Sequence, residues 1–190
     1  EIGSGLVGSE MCIRDSNTAA ASKNFGATIT GSLNSIESAT ASSRYSGVAN
    51  SIVGTANRAF NSNGSLIFGA GNEITNSVTN INAPSSGGAS AKDLADTLRS
   101  AVRNSESGGA TLAIGGGNKA DYTQKTSIIG VNNTVTGTSG SPSTYNSITG
   151  YNNTATNINN VSVIGSKNNV TNTNGACLLY TSPSPRDRSL

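Results

Sequence analysis

Short aliphatic stretches alternate with Ser, Thr and Asn along most of this chain, and each stretch leads into a glycine. Ile29, Ile52-Val53, Ile67-Phe68, Ala113-Ile114, Ile128-Ile129, Ile148 and Val163-Ile164 precede Gly31, Gly54, Gly69, Gly115, Gly130, Gly150 and Gly165. Three positions after each glycine stands an asparagine: Asn34, Asn57, Asn72, Asn118, Asn133, Asn153 and Asn168. Five positions after it stands an aliphatic: Ile36, Ala59, Ile74, Ala120, Val135, Ala155 and Val170. Both offsets hold at every copy, so the chain is built from repeats. The unit predicts a short strand, a Gly-Asn turn and a second short strand. Glycine supplies positive φ where the chain reverses, and Asn tolerates the left-handed region.

Successive glycines are 23, 15, 46, 15, 20 and 15 residues apart, so the unit is fifteen residues and the longer gaps hold insertions. Fifteen residues accommodate two strands of about five residues and two tight turns, which makes one rung of a narrow solenoid. Stacked rungs would align their asparagines into a side-chain ladder. The pre-Gly and marker-plus-five aliphatics are expected to fill the interior. Ser and Thr are expected to alternate outward, as in Thr111-Leu112-Ala113-Ile114 and Ser162-Val163-Ile164. Three to four buried aliphatics per rung, at roughly 1.5 to 3 kcal/mol each, fall short of roughly 1.5 kcal/mol of entropy per ordered residue. Stacking and self-association must therefore contribute.

The 46-residue gap holds a different element. Residues 77–90 read as a loop, and Ala91 to Arg103 as a helix. Ser90 is its N-cap, Leu94, Leu98, Ala101 and Val102 form one face, and Arg99 and Arg103 complement the dipole at its C-terminus. That helix either braces the roll or shapes a binding surface. The gaps Glu37 to Asn50, with Arg44 and Tyr45, and Thr136 to Asn146, with Tyr145, read as surface loops. In repeat proteins such insertions often lie on the binding face.

The two ends differ in composition from everything between them: both Cys, the single Met and two of the four Pro lie there. Leu6 to Ser16, LVGSEMCIRDS, is similar to the in-frame translation of a transposase-type sequencing adapter. Cys177 to Asp187, CLLYTSPSPRD, fits the reverse complement of the same oligonucleotide. Such segments are set aside from fold reasoning, as fusion scars are. The expected organisation is adapter-derived 1–16, roll repeats 17–76, a loop-helix insertion 77–110, roll repeats 111–176 and adapter-derived 177–190.

Between residues 17 and 176, nine Lys and Arg stand against six Asp and Glu, nine minus six leaving +3, and there is no Cys, His, Met or Trp. This removes His and Cys metal sites, thiol nucleophiles and Ser-His triads. Charge is scattered, without a basic run, so nucleic acid is not expected as a partner. Of the carboxylates Glu37, Glu73, Asp93, Asp96, Glu106 and Asp121, only Asp93 and Asp96 are close, one helical turn apart on a solvated face rather than as an acid/base dyad. Gly115-Gly116-Gly117-Asn118 lacks the Lys-Ser or Lys-Thr of a phosphate loop. The turns carry Asn where a calcium-binding roll needs Asp. The Asn-x-Thr sequons at Asn132 and Asn152 follow from composition. No stretch approaches the roughly 18 to 20 apolar residues that span a bilayer. No catalytic residue, cofactor or metal is expected.

Ser65-Leu66-Ile67-Phe68-Gly69-Ala70-Gly71-Asn72-Glu73-Ile74 and Thr111-Leu112-Ala113-Ile114-Gly115-Gly116-Gly117-Asn118-Lys119-Ala120 resemble the Ser-Val-Ala-Ile-Gly-x-x-Ala/Asn-x-Ala units of YadA-like heads. These belong to trimeric autotransporter adhesins of Gram-negative bacteria. The resemblance covers residues 27 to 172 and departs from the pattern in its richer Asn and in the helical insertion. It implies an all-β fold: a left-handed parallel β-roll solenoid with one short helical insertion, in each chain of a homotrimer. It also implies display at the cell surface, on the outer membrane, through a stalk and a C-terminal anchor that this segment does not contain. The implied function is adhesion to host extracellular matrix, host cell-surface receptors or other bacteria. Two alternatives use the same roll: a phage tail fibre or spike, and an ice-binding solenoid, which needs Thr in a regular array on one face.

Overall fold

The computed structural model describes residues 18–20, 26–37, 47–78, 91–104 and 109–179. These residues form a solenoid-like stack of parallel strands with one helix inserted. A ten-stranded sheet contains the longer strands Thr28–Ser32, Ser51–Thr55, Leu66–Ala70, Leu112–Gly116, Ser127–Val131, Ser147–Tyr151 and Asn159–Ser166, paired in chain order. An eight-stranded sheet contains Thr18–Ala20, Ser35–Glu37, Arg58–Phe60, Glu73–Thr75, Lys119–Asp121, Thr134–Thr136, Thr154–Thr156 and Asn169–Thr171, also in chain order. A shorter third side, carrying the two-residue strands Thr123–Gln124 and Ser143–Thr144, joins the two.

Register follows the repeat. Gly31 pairs Gly54, Gly54 pairs Gly69, Gly69 pairs Gly115, and the column continues through Gly130, Gly150 and Gly165. The marker glycine therefore lies inside the long strand rather than at a reversal. The chain turns two residues later, where Leu33, Ala56, Gly71, Gly117, Asn132, Asn152 and Lys167 all have positive φ. The left-handed residue is thus at marker plus two, and the asparagine at plus three is not itself left-handed. One left-handed residue bends an extended chain sharply without needing a longer loop.

The interior departs from the expectation in an instructive way. Ile29, Ile52, Ile67, Ala113, Ile128, Ile148 and Val163, two residues before each glycine, are buried, as are the marker-plus-five aliphatics. The residue immediately before the glycine faces outward instead: Phe68, Ile129 and Ile164 are exposed and Val53 and Ile114 half-buried. Strand side chains alternate, so two consecutive aliphatics cannot both enter one core. Each rung thus places two aliphatics in the main core columns, fewer than expected. The interior beside the third side is largely polar: Asn50, Ser62, Ser65, Ser77, Thr111, Thr123, Thr126, Ser143 and Asn146 are all buried. Thr111, expected outside, joins this interior column, its hydroxyl 2.7 Å from that of Ser77 and 3.0 Å from that of Thr123. Among the described residues, only the Ser62 hydroxyl is buried without a hydrogen-bond partner.

The helix runs Ala91–Asn104. Asp96 accepts from Lys92 at 3.2 Å and from Arg99, which joins three of its exposed charges. A Cβ added to Gly26 would lie 2.9 Å from Leu98 Cδ2, so the helix leans on the first rung. Of the loop expected at 77–90, only Ser77 and Val78 are described, Ser77 being buried; its remainder, the Ser90 cap, Arg44, Tyr45 and both terminal segments, apart from Cys177 to Leu179, lie outside the described residues. The last strand, Asn174–Leu178, runs past the expected boundary at 176 and sets Cys177 beside Ser162 and Leu178 beside Val163.

Candidate functional site

The repeat asparagines build an interior spine. Asn118 donates its backbone N–H and its Nδ2 to Asn72 Oδ1, at 3.0 and 2.9 Å, and the same Nδ2 donates to Gly130 O at 2.8 Å. Asn118 Oδ1 in turn accepts from the N–H and Nδ2 of Asn133 at 3.1 and 3.0 Å. The pattern recurs from Asn34 through Asn57, Asn72, Asn133 and Asn153 to Asn168. Each amide is used on both sides, and the six from Asn34 to Asn153 are buried, so this spine is structural and has no reach to a ligand. Function must be sought on the three outer faces.

The outer face of the long-strand sheet is apolar along its centre. The column Val53, Phe68, Ile114 and Ile129 continues through Thr149 to Ile164, flanked by Leu66 and Leu112 on one side and Val131 and Tyr151 on the other. Phe68, Val131, Tyr151 and Ile164 each expose close to half of their surface. The other positions facing out of these strands are Ser, Thr, Asn, Ala or Gly, and none is charged.

The outer face of the short-strand sheet is the opposite in character. Arg58 sits between two carboxylates, 3.2 Å from Glu37 and 2.9 Å from Glu73, and Lys119 stands 3.6 Å from Glu73. The guanidinium also lies 4.9 Å from the Phe60 ring centroid. Asp121 accepts from Thr75 at 2.6 Å and from Asn76 at 2.8 Å. Beyond Asp121 the face changes to Thr134, Thr136, Thr154, Thr156, Asn169 and Thr171. The carboxylates are thus separated by a shared cation, which precludes a proton-sharing pair. Alignment of the rungs would have revealed this ladder, since Arg58, Glu73 and Lys119 occupy the same repeat position.

The Arg58 hydrogen bonds hold the Glu37 carboxyl below its ordinary value of 4.5. A lowered folded-state value contributes stability that is present above the ordinary value and is lost as pH falls through the lowered one. Arg58→Met should therefore melt below the parent at neutral pH, with the gap closing as pH falls below 4.5. Arg58 and Glu37 expose 41% and 31% of their side chains, so solvent screening keeps the effect within about 1 kcal/mol. Thermal melts by circular dichroism across acidic pH check this.

On the third side, residues 137–142 leave the stack after the short strand Thr134–Thr136. In the gaps expected to be surface loops, Val48, Asn50, Ser143 and Asn146 are buried, so the described ends of both gaps belong to the interior. Asn50 and Asn146 donate there to Ser62 O and Ile158 O at 2.7 and 3.0 Å.

Among the described residues no cluster of three or more His, Cys, Asp or Glu could hold a metal ion. No described helix is long and apolar enough to cross a membrane. Compared with protein-family models, curated proteins and solved structures, the chain gives no match.

Proposed function

We propose that this chain is an internal segment of a surface adhesin head. In this reading it is a left-handed parallel β-roll of fifteen-residue rungs that assembles as a homotrimer and attaches a Gram-negative bacterium to host matrix, host cells or other bacteria. The observation that carries the reading is the uncharged apolar stripe on the outer face of the long-strand sheet. A contiguous exposed apolar patch marks an interaction surface. Because this one runs along the stacking axis, rotation about a parallel axis brings the same column of every copy together, as closed cyclic assembly requires. The resemblance of the rungs to YadA-like heads supplies the number three. Three copies in one head multiply weak contacts with a target by avidity.

The reading needs no catalytic residue and no cofactor, and it leaves membrane attachment to an anchor outside this segment. A phage fibre shares the roll but has no feature here that favours it. The Thr columns of the short-strand sheet fit an ice-binding array over three rungs only, since the charge ladder replaces them from Asp121 back to Glu37.

The test is to place charge on the stripe. Ile129→Asp together with Ile164→Asp changes two exposed side chains, so the β-rich circular dichroism spectrum should persist while light scattering falls from the mass of the assembly to that of one chain. An assembly that survives both substitutions contradicts the reading.

A further inference from the structure

Each long strand has two outward flanks beside the apolar column, one three residues before the marker glycine and one a single residue after it, and their side chains are matched in size. Leu66 and Leu112 face Ala70 and Gly116 across their own strands, and Val131 and Tyr151 face Ser127 and Ser147. The strands Thr28–Ser32, Ser51–Thr55 and Asn159–Ser166 carry Ser or Thr on both flanks. No described rung therefore has a large side chain on both.

Nothing within the chain requires this match. The two flanks of a strand are four residues apart, about 13 Å along an extended backbone, so their side chains do not compete for space. Gly116 is not left-handed, and an added Cβ would meet nothing nearer than Ala70 O at 3.7 Å, an ordinary contact. Its partners in the column, Ala70 and Val131, carry side chains in the same register. Gly116 therefore keeps a space open on the outer surface that neither backbone conformation nor packing inside the chain explains.

We infer that copies of this chain meet flank to flank, parallel and without a shift along the stack, so that the first flank of one packs on the second flank of the next at the same rung. This rests on the self-assembly proposed above and adds the residues that fix its register. In a closed ring the contact joins two different patches, and rotation about an axis parallel to the stack preserves height. Leu112 of one copy then enters the space over Gly116 of the next, and Tyr151 of one covers Ser147 of another. A shift of two rungs would instead set Leu66 against Val131 and Leu112 against Tyr151, while Ser51 met Gly116. Overfilling and voids both cost stability, so the size match selects the unshifted contact.

Cross-linking of the full chain tests the contact, with Cys12→Ser and Cys177→Ser as background and sedimentation run on the same samples. Ser147→Cys and Tyr151→Cys are introduced together. Within one chain these positions are too far apart for a disulfide, which needs Cα atoms within about 7 Å, so a bond between them joins two copies. Mild oxidation should give bands at two and three times the chain mass on a non-reducing gel. Ser51→Cys with Tyr151→Cys, four rungs or about 19 Å apart in height, should stay as single chains. Gly116→Leu should weaken assembly by roughly tenfold or more, equivalent to about 1.4 kcal/mol, and Leu112→Ala added to it should restore assembly. Circular dichroism shows that each variant keeps the β-rich fold. A parent that assembles without the Ser147–Tyr151 cross-link, equal cross-linking of the Ser51 pair, or failure of Leu112→Ala to rescue a folded Gly116→Leu would each overturn the unshifted contact and leave self-assembly standing. A parent that stays a single chain would overturn both.

Discussion

Gly115→Ala collapses the roll, and Gly116→Ala, one residue further on, leaves it standing. At Gly115 the backbone has φ +122, and an added Cβ would lie 1.9 Å from the carbonyl oxygen and 2.8 Å from the carbonyl carbon of Gly130 in the next rung. Those atoms are main chain, so they can retreat only by separating two paired strands. The strained dihedral alone costs roughly 1 to 3 kcal/mol. With the broken ladder bonds added, the total should exceed about 4 kcal/mol, at the extreme of single substitutions. At Gly116 the φ is ordinary and the nearest contact is Ala70 O at 3.7 Å. Thermal melting by far-UV circular dichroism of the two variants checks the contrast. Equal melting temperatures would show that the glycine column is not a point of close approach between rungs.

The second large effect belongs to the asparagine spine. Asn118→Leu removes the acceptor of two Asn133 donors and the donor that reaches Gly130 O. Each buried polar group left without a partner costs about 1 to 3 kcal/mol, so the variant should lose roughly 3 to 5 kcal/mol and melt roughly 10 °C lower. Asn152→Gly, at an exposed left-handed corner with φ +53, should be neutral or slightly stabilising. The two asparagines look alike in composition but act differently, one through its side chain and the other through its backbone. Chemical denaturation of both variants separates these roles.

The repeat phase and the helix were legible in the sequence because each leaves a periodic trace. Direction was not. Ile128 and Ile129 are identical residues, yet one is buried and the other exposed, and only register decides which. Thr111 reads as a surface residue but completes a buried hydroxyl column with Ser77 and Thr123, since a narrow interior can be filled by hydrogen-bonded polar groups as well as by aliphatics. The glycine suggested a turn, whereas it serves close packing between rungs and the turn falls two residues later. Nor could spacing alone place the Lys125 and Tyr145 side chains together, because twenty residues and an insertion separate them in sequence.

Self-assembly through the apolar stripe is the claim on which the functional account rests. Sedimentation equilibrium of the full chain measures it directly. The account predicts a single species of three times the 19.0 kDa chain mass. A folded, β-rich protein that sediments at the mass of one chain over the whole concentration range contradicts it.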